Sequence, residues 1–261
     1  MTAGQQAVTV LTVSYDGAPF HGFARQDGPE TVQGRIEAAL RTILRRDVHT
    51  MGAGRTDAGV HALGQVVSFP EAPGDPVPAE VLRSLNALAG EGIVVTGVRR
   101  GAPGFDARHS AVCREYRYRI VTGPVPPLFL AGRSWWVKGP LDLGAMRAGA
   151  ALMLGEHDFR SFCVSSSAEG RRTVREIDTF EIAPSVEMGE HCIVLRIVGR
   201  SFLHSMVRIV AGTLVEVGKG RHDPAWVGEA LAACDRSAAG PTAPPEALTL
   251  WHVTYPDEVW L

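Results

Sequence analysis

Two hydrophobic periods alternate along the chain. Val8 to Tyr15 (VTVLTVSY) is rich in β-branched residues and reads as a strand. Thr31 then offers an N-cap to a helix running to about Arg45, with Val32, Ile36, Leu40, Ile43 and Leu44 on one face. Short strands are expected over Val48–Ala53 and Leu63–Phe69. A helix opened by Pro76 and Pro78 runs to Leu88, and a strand follows over Ile93–Arg99. The second half begins with a strand at Tyr116–Thr122 (YRYRIVT) and a helix at Leu141–Leu154, with Asp142 in its first turn. Val174–Ile182 and Cys192–Val198 read as a hairpin joined by a connection containing Pro and Gly. A helix at Leu203–Val217 presents Leu203, Met206, Val207, Val210 and Leu214, and a shorter one from Pro224 ends near Cys234. Leu248–Tyr255 (LTLWHVTY) closes the chain as a strand.

This mixture of hairpins and helices favours an α+β fold with a largely antiparallel sheet over a doubly wound parallel one. The two halves share a loose order of strand, helix, strands, helix, strand. A boundary is expected where the composition turns to Gly, Ala and Pro at residues 101–104, giving an N-terminal domain 1–104 and a C-terminal domain 105–261. At 261 residues the chain can bury a real core.

No apolar run reaches membrane-spanning length, and residues 1–6 lack a basic region followed by an apolar core, so neither membrane association nor a leader is expected. Cys113, Cys163, Cys192 and Cys234 are too far apart for a zinc ribbon or a dense disulfide framework, and read as buried thiols of a reducing cytoplasm. The formal net charge of -2 alone gives no sign of a nucleic-acid partner. The distribution says more. Lys138 and Lys219 are the only lysines, so positive charge is carried by arginine, the residue suited to bidentate phosphate contacts. Six arginines lie between Arg99 and Arg119 against two acids, Asp106 and Glu115. Arg160, Arg171, Arg172 and Arg175 form a second group. Ordinary solvated faces account for such groups equally well.

One stretch carries chemistry. "GAGRTDAGVHALGQVVSF" (Gly52–Phe69) sets Arg55 and Asp57 in a glycine-bracketed loop before an apolar strand. It lacks the glycine spacing of a P-loop or dinucleotide site. Asp57 and His61 stand four apart on a loop, and a metal there would need ligands from elsewhere in the chain. A short acid in a partly buried loop needs a cationic partner to stay ionised, and an oriented carboxylate serves as nucleophile or base. An Asx-type turn, in which Asp57 bonds its own backbone, explains the same residues without chemistry.

The loop closely resembles the catalytic loop of the TruA family of tRNA pseudouridine synthases. Five further blocks resemble that family in order: "YDGAPFHGFARQ" (Tyr15–Gln26), "FDARHSAVCREYRYRI" (Phe105–Ile120), "HDFRSF" (His157–Phe162), "SFLHSMVRIVAGTLVEVG" (Ser201–Gly218) and "PTAPPEALTLWHVTYP" (Pro241–Pro256). Ala247 departs from the family's usual glycine before Leu248, and Arg114 stands where lysine is frequent.

The resemblance implies the pseudouridine synthase fold: α+β, two similar halves, each a mostly antiparallel sheet flanked by helices, with the catalytic cleft between them. It implies isomerisation of uridine to pseudouridine at tRNA positions 38, 39 and 40, in the anticodon stem-loop, by a cytoplasmic homodimer using neither cofactor nor metal. Asp57 matches the essential aspartate. Tyr116, otherwise readable as a strand aromatic, matches the tyrosine that packs on the target base and is a candidate for the final C5 deprotonation, with Tyr118 ranked second. Arg208, otherwise a solvated helix arginine beside His204, Ala211 and Gly212, matches the arginine that pairs with the aspartate. The small neighbours are expected to leave room for the active-site loop. Arg55 matches the arginine that fills the space of the flipped base. The clustering of Arg108, Arg114, Arg171 and Arg172 marks them as contributors to an RNA surface. A non-catalytic RNA-binding protein, a nucleoside hydrolase or glycosidase, and the same chemistry at another RNA site are the alternatives.

Overall fold

The structure, a computed structural model, describes residues 6–261. The segment in which no leader is expected lies outside the described residues, apart from Gln6. The chain forms two compact units. One takes in the chain up to Cys113 together with Leu250–Leu261, and the other is Arg114–Thr249.

The first unit starts with β1 (Val8–Tyr15), helix α1 (Val32–Leu44), the two-residue β2 (Met51–Gly52) and β3 (His61–Pro70). Helix α2 (Pro78–Leu88) and β4 (Ile93–Gly101) follow. β1 is flanked by antiparallel partners on both sides, β3 and β4, and β2 adds to β3. Leu11 and Val13 of β1 are fully buried, as befits a central strand. α1 forms where its cap demands: the Thr31 hydroxyl accepts the Gly34 N–H, and Val32, Ile36 and Leu40 turn into the core. α1 and α2 pack together, and α2 lies on β4.

The second unit runs β5 (Cys113–Thr122), β6 (Trp135–Val137), α3 (Leu143–Ala151), β7 (Gly155–Asp158) and α4 (Ser165–Ala168). Then come β8 (Val174–Glu187), β9 (Glu190–Gly199), α5 (Met206–Gly218) and α6 (Ala225–Ala233). Its strand order is β5-β9-β8-β7, antiparallel throughout, with β6 added parallel to β5. Asp142 is the N-cap of α3, accepting the Ala145 N–H. α3 packs on α5, α6 and β8. The last strand, β10 (Leu248–Thr254), carries the chain back into the first unit, where it lies next to β3.

The α+β class with a mostly antiparallel sheet is as expected. Several details differ, each for a physical reason. The boundary falls after Cys113 rather than at 104, because residues 102–112 are tied to the returning C-terminus. Ala102 N–H donates to Val259 O and Val112 N–H to Thr254 O, both at 2.9 Å, and the Phe105 ring lies 5.1 Å from that of Tyr255. The hairpin strands run past Ile182 to a two-residue turn, Met188-Gly189, with both φ positive, which matches the strand twist. Pro184 sits inside β8 without cost to the ladder: it opposes Ile193 on β9, and β7 pairs only with Val174–Ile177, so the other side is an edge there. α5 begins at Met206 rather than Leu203, after Ser205 in the left-handed region at φ 58°. β6, β7 and α4 are too short to show a period and were not anticipated. Of the cysteines, Cys163 and Cys192 are buried, while Cys234 is exposed at the end of α6. Among the described residues no helix is long and apolar enough to cross a membrane.

Thr31→Ala removes the α1 cap and is expected to lower stability by about 1 kcal/mol, with Thr31→Ser close to wild type. Urea denaturation of the three proteins, compared at equal m-value, checks this.

Candidate active site

In the first unit the backbone on both sides of Asp57 is locked by buried groups. The Tyr15 hydroxyl, at the end of β1, lies 2.7 Å from Thr56 Oγ1. Gln65 is the one amide side chain in the apolar β3 and is fully buried; its Nε2 donates to Gly54 O at 2.8 Å and reaches the Tyr15 hydroxyl at 3.5 Å. The Phe23 N–H donates to Thr56 O, and the Ala53 N–H to Val66 O. The four-residue turn 57–60 is closed by main chain, Val60 N–H to Asp57 O, with Gly59 at φ 78° in the third position of a type II turn. The main chain thus closes this turn by itself at Val60. Asp57 itself is half-buried.

Gly17 is what allows β1 to exit so close to this turn. A Cβ there would lie 2.1 Å from Val60 O. The Gly17 N–H donates to Nδ1 of His61, which is buried, so His61 clamps the β1 exit from the start of β3. Among the described residues no group of three or more His, Cys, Asp or Glu is arranged to hold a metal ion. The Arg55 guanidinium is exposed and forms no ion pair among the described residues; it is not the cation that a buried carboxylate needs.

In the second unit Tyr116 stands on β5 opposite Ile197 of β9, 7 % exposed, with the Phe202 ring edge-on at 5.1 Å. Tyr118 shares its strand face, as the two-residue period requires, but its environment differs. It is completely buried and its hydroxyl donates to Pro244 O at 3.0 Å. Burial, with a contribution from Glu246, pushes its phenol far above the ordinary tyrosine range, against the pull of Arg208. Tyr118 is an anchor for the 241–245 segment and a poor proton carrier. Arg208 lies in the first turn of α5, half-buried rather than solvated. Its Nε donates to Ala243 O at 2.9 Å, and its own carbonyl accepts the Ala243 N–H. The room left by small residues on α5 is taken by this same segment: a Cβ on Gly212 would meet Pro241 O at 1.8 Å. Ala247 is fully buried with a negative φ, so a side chain is accommodated where the resembling family has glycine.

The sequence matches the family described as tRNA pseudouridine synthase over residues 11–96 and 150–256. The chain belongs to the tRNA pseudouridine synthase family. Relatives named tRNA pseudouridine synthase A include one from Rhizobium leguminosarum bv. trifolii, 41% identical over 95% of this chain and 92% of its own length. Another, from Brevibacillus brevis, is 43% identical over 93% of this chain and 97% of its own length. A third, from Geobacillus kaustophilus, is 41% identical over 94% and 93%.

Within this synthase the arginines named from clustering part company. Arg108 is exposed in the first unit, and Arg171 and Arg172 are exposed in the second, with Arg172 Nη2 3.5 Å from Glu156. Arg114 turns inward: it is 7 % exposed and its Nη1 donates to Arg200 O. Sequence reading passed over Thr56, Gln65 and Phe202. Gln65 left one signal, an amide inside an otherwise apolar strand.

Gly17→Ala is expected to displace the 57–60 turn, cutting turnover on tRNA uridine at least tenfold and lowering stability by about 1–3 kcal/mol. Steady-state kinetics and urea denaturation on one preparation test both. Tyr118→Phe strips the donor from Pro244 O and should cost about 1–3 kcal/mol while leaving the shape of the pH–rate profile unaltered.

Proposed function

We infer that the protein converts uridine to pseudouridine in tRNA and that Asp57, Tyr116 and Arg208 serve that reaction on one nucleotide. The observation that carries the reading is the Asp57 loop. Its main chain is pinned at Gly54, Thr56 and Val60, which fixes the place from which the Asp57 side chain leaves the backbone, and it lies within the stretch matched to the synthase family. Pre-positioned groups of this kind contribute most when the reacting centre is held to within a fraction of an ångström.

The reaction is an isomerisation, so nothing is consumed. The N1–C1′ bond breaks, the uracil turns, C5 bonds to C1′, and the C5 proton leaves as N1 gains one. Breaking a glycosidic bond builds positive charge at C1′, which an adjacent carboxylate stabilises or traps. Removal of a ribose proton, giving a glycal, uses the same carboxylate as a base. The resemblance supports Arg208 as the cationic partner in this step. Tyr116 packs on the uracil and takes part in loss of the C5 proton. Arg55 occupies the space of the flipped base, offsetting part of an unstacking cost of a few kcal/mol.

The resemblance further supports targets at positions 38 to 40 of the anticodon stem-loop, a homodimeric assembly and action in the cytoplasm. Several neighbouring targets require recognition of RNA shape, for which exposed Arg108, Arg171 and Arg172 are suited.

Unmodified tRNA transcript carrying tritium at uridine C5 tests the proposal, incubated without metal or cofactor. Wild type is expected to release tritium. Asp57→Asn should lower the rate by at least about 10³-fold while retaining tRNA affinity. Release of free uracil instead would assign the protein to glycosidic hydrolysis.

A further inference from the structure

The chain's only two lysines, Lys138 and Lys219, lie about eighty positions apart in sequence yet line one groove in the second unit. The groove has a volume of about 530 Å³ and is formed where β6 meets the segment after it and the end of α5. Trp135, Trp136 and Arg221 complete the part that matters. Among the described residues no further strand pairs with β6 beyond β5.

Each lysine is held by a ring. Lys138 Nζ stands 5.2 Å from the centre of the Trp136 ring, and Lys219 Nζ 5.8 Å from that of Trp135, within cation–π range. The rings themselves are anchored. The Trp136 indole N–H donates to Gly123 O and the ring packs on Val121, Leu130 and Cys192, while Trp135 meets Tyr118 edge-on. Ordering a lysine side chain costs rotamer entropy, so two ammonium groups placed over rings in one groove are an uncommon arrangement for a solvated face. An acid pairs with part of this set. Glu216 bonds Lys219 and Arg221; burial raises its pKa, but those two hydrogen bonds outweigh it and hold the carboxyl below the ordinary range. Lys138, Lys219 and Arg221 thus gather in one groove, two of them paired with Glu216, in a chain whose net charge is negative.

The groove is remote from the residues assigned to chemistry in the same unit. β6 pairs with Ile120–Thr122, four to six residues along β5 from Tyr116, which is roughly 13–20 Å of strand. Along α5, Lys219 is eleven residues from Arg208, about 16 Å of helix. A cation pair at that distance has no part in the bond changes at one uridine.

We propose that this groove binds the phosphodiester backbone of the substrate RNA, several nucleotides from the reacting uridine. The proposal rests on the reading of the protein as a tRNA-modifying enzyme. Fixed ammonium groups serve phosphate as point charges, and the flanking indoles offer apolar surface to sugar and base.

Lys138→Gln/Arg221→Gln tests it, because both side chains are exposed and Lys219 keeps Glu216 paired. For pseudouridine formation on whole tRNA, KM is expected to rise about tenfold at unchanged kcat. The slope of log affinity against log salt should become shallower by one to two units. Lys138→Arg/Arg221→Lys should restore both, and an unchanged urea midpoint certifies the fold. KM and salt slope both equal to wild type would overturn the proposal. If wild type forms no pseudouridine, the functional reading falls instead, and the groove is then judged by fluorescence anisotropy of labelled tRNA. There a shallower salt slope in the double variant supports it, and an identical slope refutes it.

Discussion

The Tyr15 hydroxyl, 2.7 Å from Thr56 Oγ1 and within reach of the buried Gln65 amide, ties the end of the central strand of the first unit to the residue before Asp57. Three polar groups in an apolar surrounding stay there only if they satisfy one another, since an unpaired buried group costs about 1–3 kcal/mol. That requirement makes the set rigid. It converts a glycine-rich loop, which would otherwise sample many backbone states, into a platform with one. Gly17 and Gly59 permit the close approach and the positive φ; the hydrogen bonds choose the state.

The second unit uses a different device for the same end. α5 is buried almost all round, and its glycine at 212 lets the chain's 241–243 segment touch the helix backbone. That segment holds Arg208 through both its main chain and its Nε, and is itself held by Tyr118 through Pro244. Two tyrosines on one strand face therefore do unlike work. Tyr118 spends its hydroxyl on architecture. Tyr116 keeps a slightly exposed ring braced by Phe202, the position from which an aromatic can meet a base.

Charge follows a similar division. Arg114 and Arg119 are buried and bonded to backbone, hydroxyl or acid inside the protein. Glu115 takes hydrogen bonds from Arg196 and Arg117, which outweigh the effect of its burial and hold its carboxyl below the usual range. Four of the six arginines between Arg99 and Arg119, namely Arg100, Arg114, Arg117 and Arg119, are thus bonded to groups inside the protein. The two lysines are instead gathered in one groove.

Local rules carried much of the chain. β1, α1, α2, α6 and β10 lie where their periods and caps placed them, because Thr31, Pro78 and the β-branched runs act over a few residues. The Arg55–Asp57 loop was legible for the same reason: its glycines, its acid and the strand after it are contiguous. Tertiary structure decided what depends on distant partners. It set the boundary after Cys113, where the C-terminal strand returns, and it let Pro184 remain in a strand at an unpaired edge. It separated inward Arg114 from exposed Arg108, Arg171 and Arg172, which a list of arginines cannot distinguish. It also gave Tyr118 and Gln65 their partners, since a hydrogen bond between residues far apart in sequence leaves no period along the chain to read.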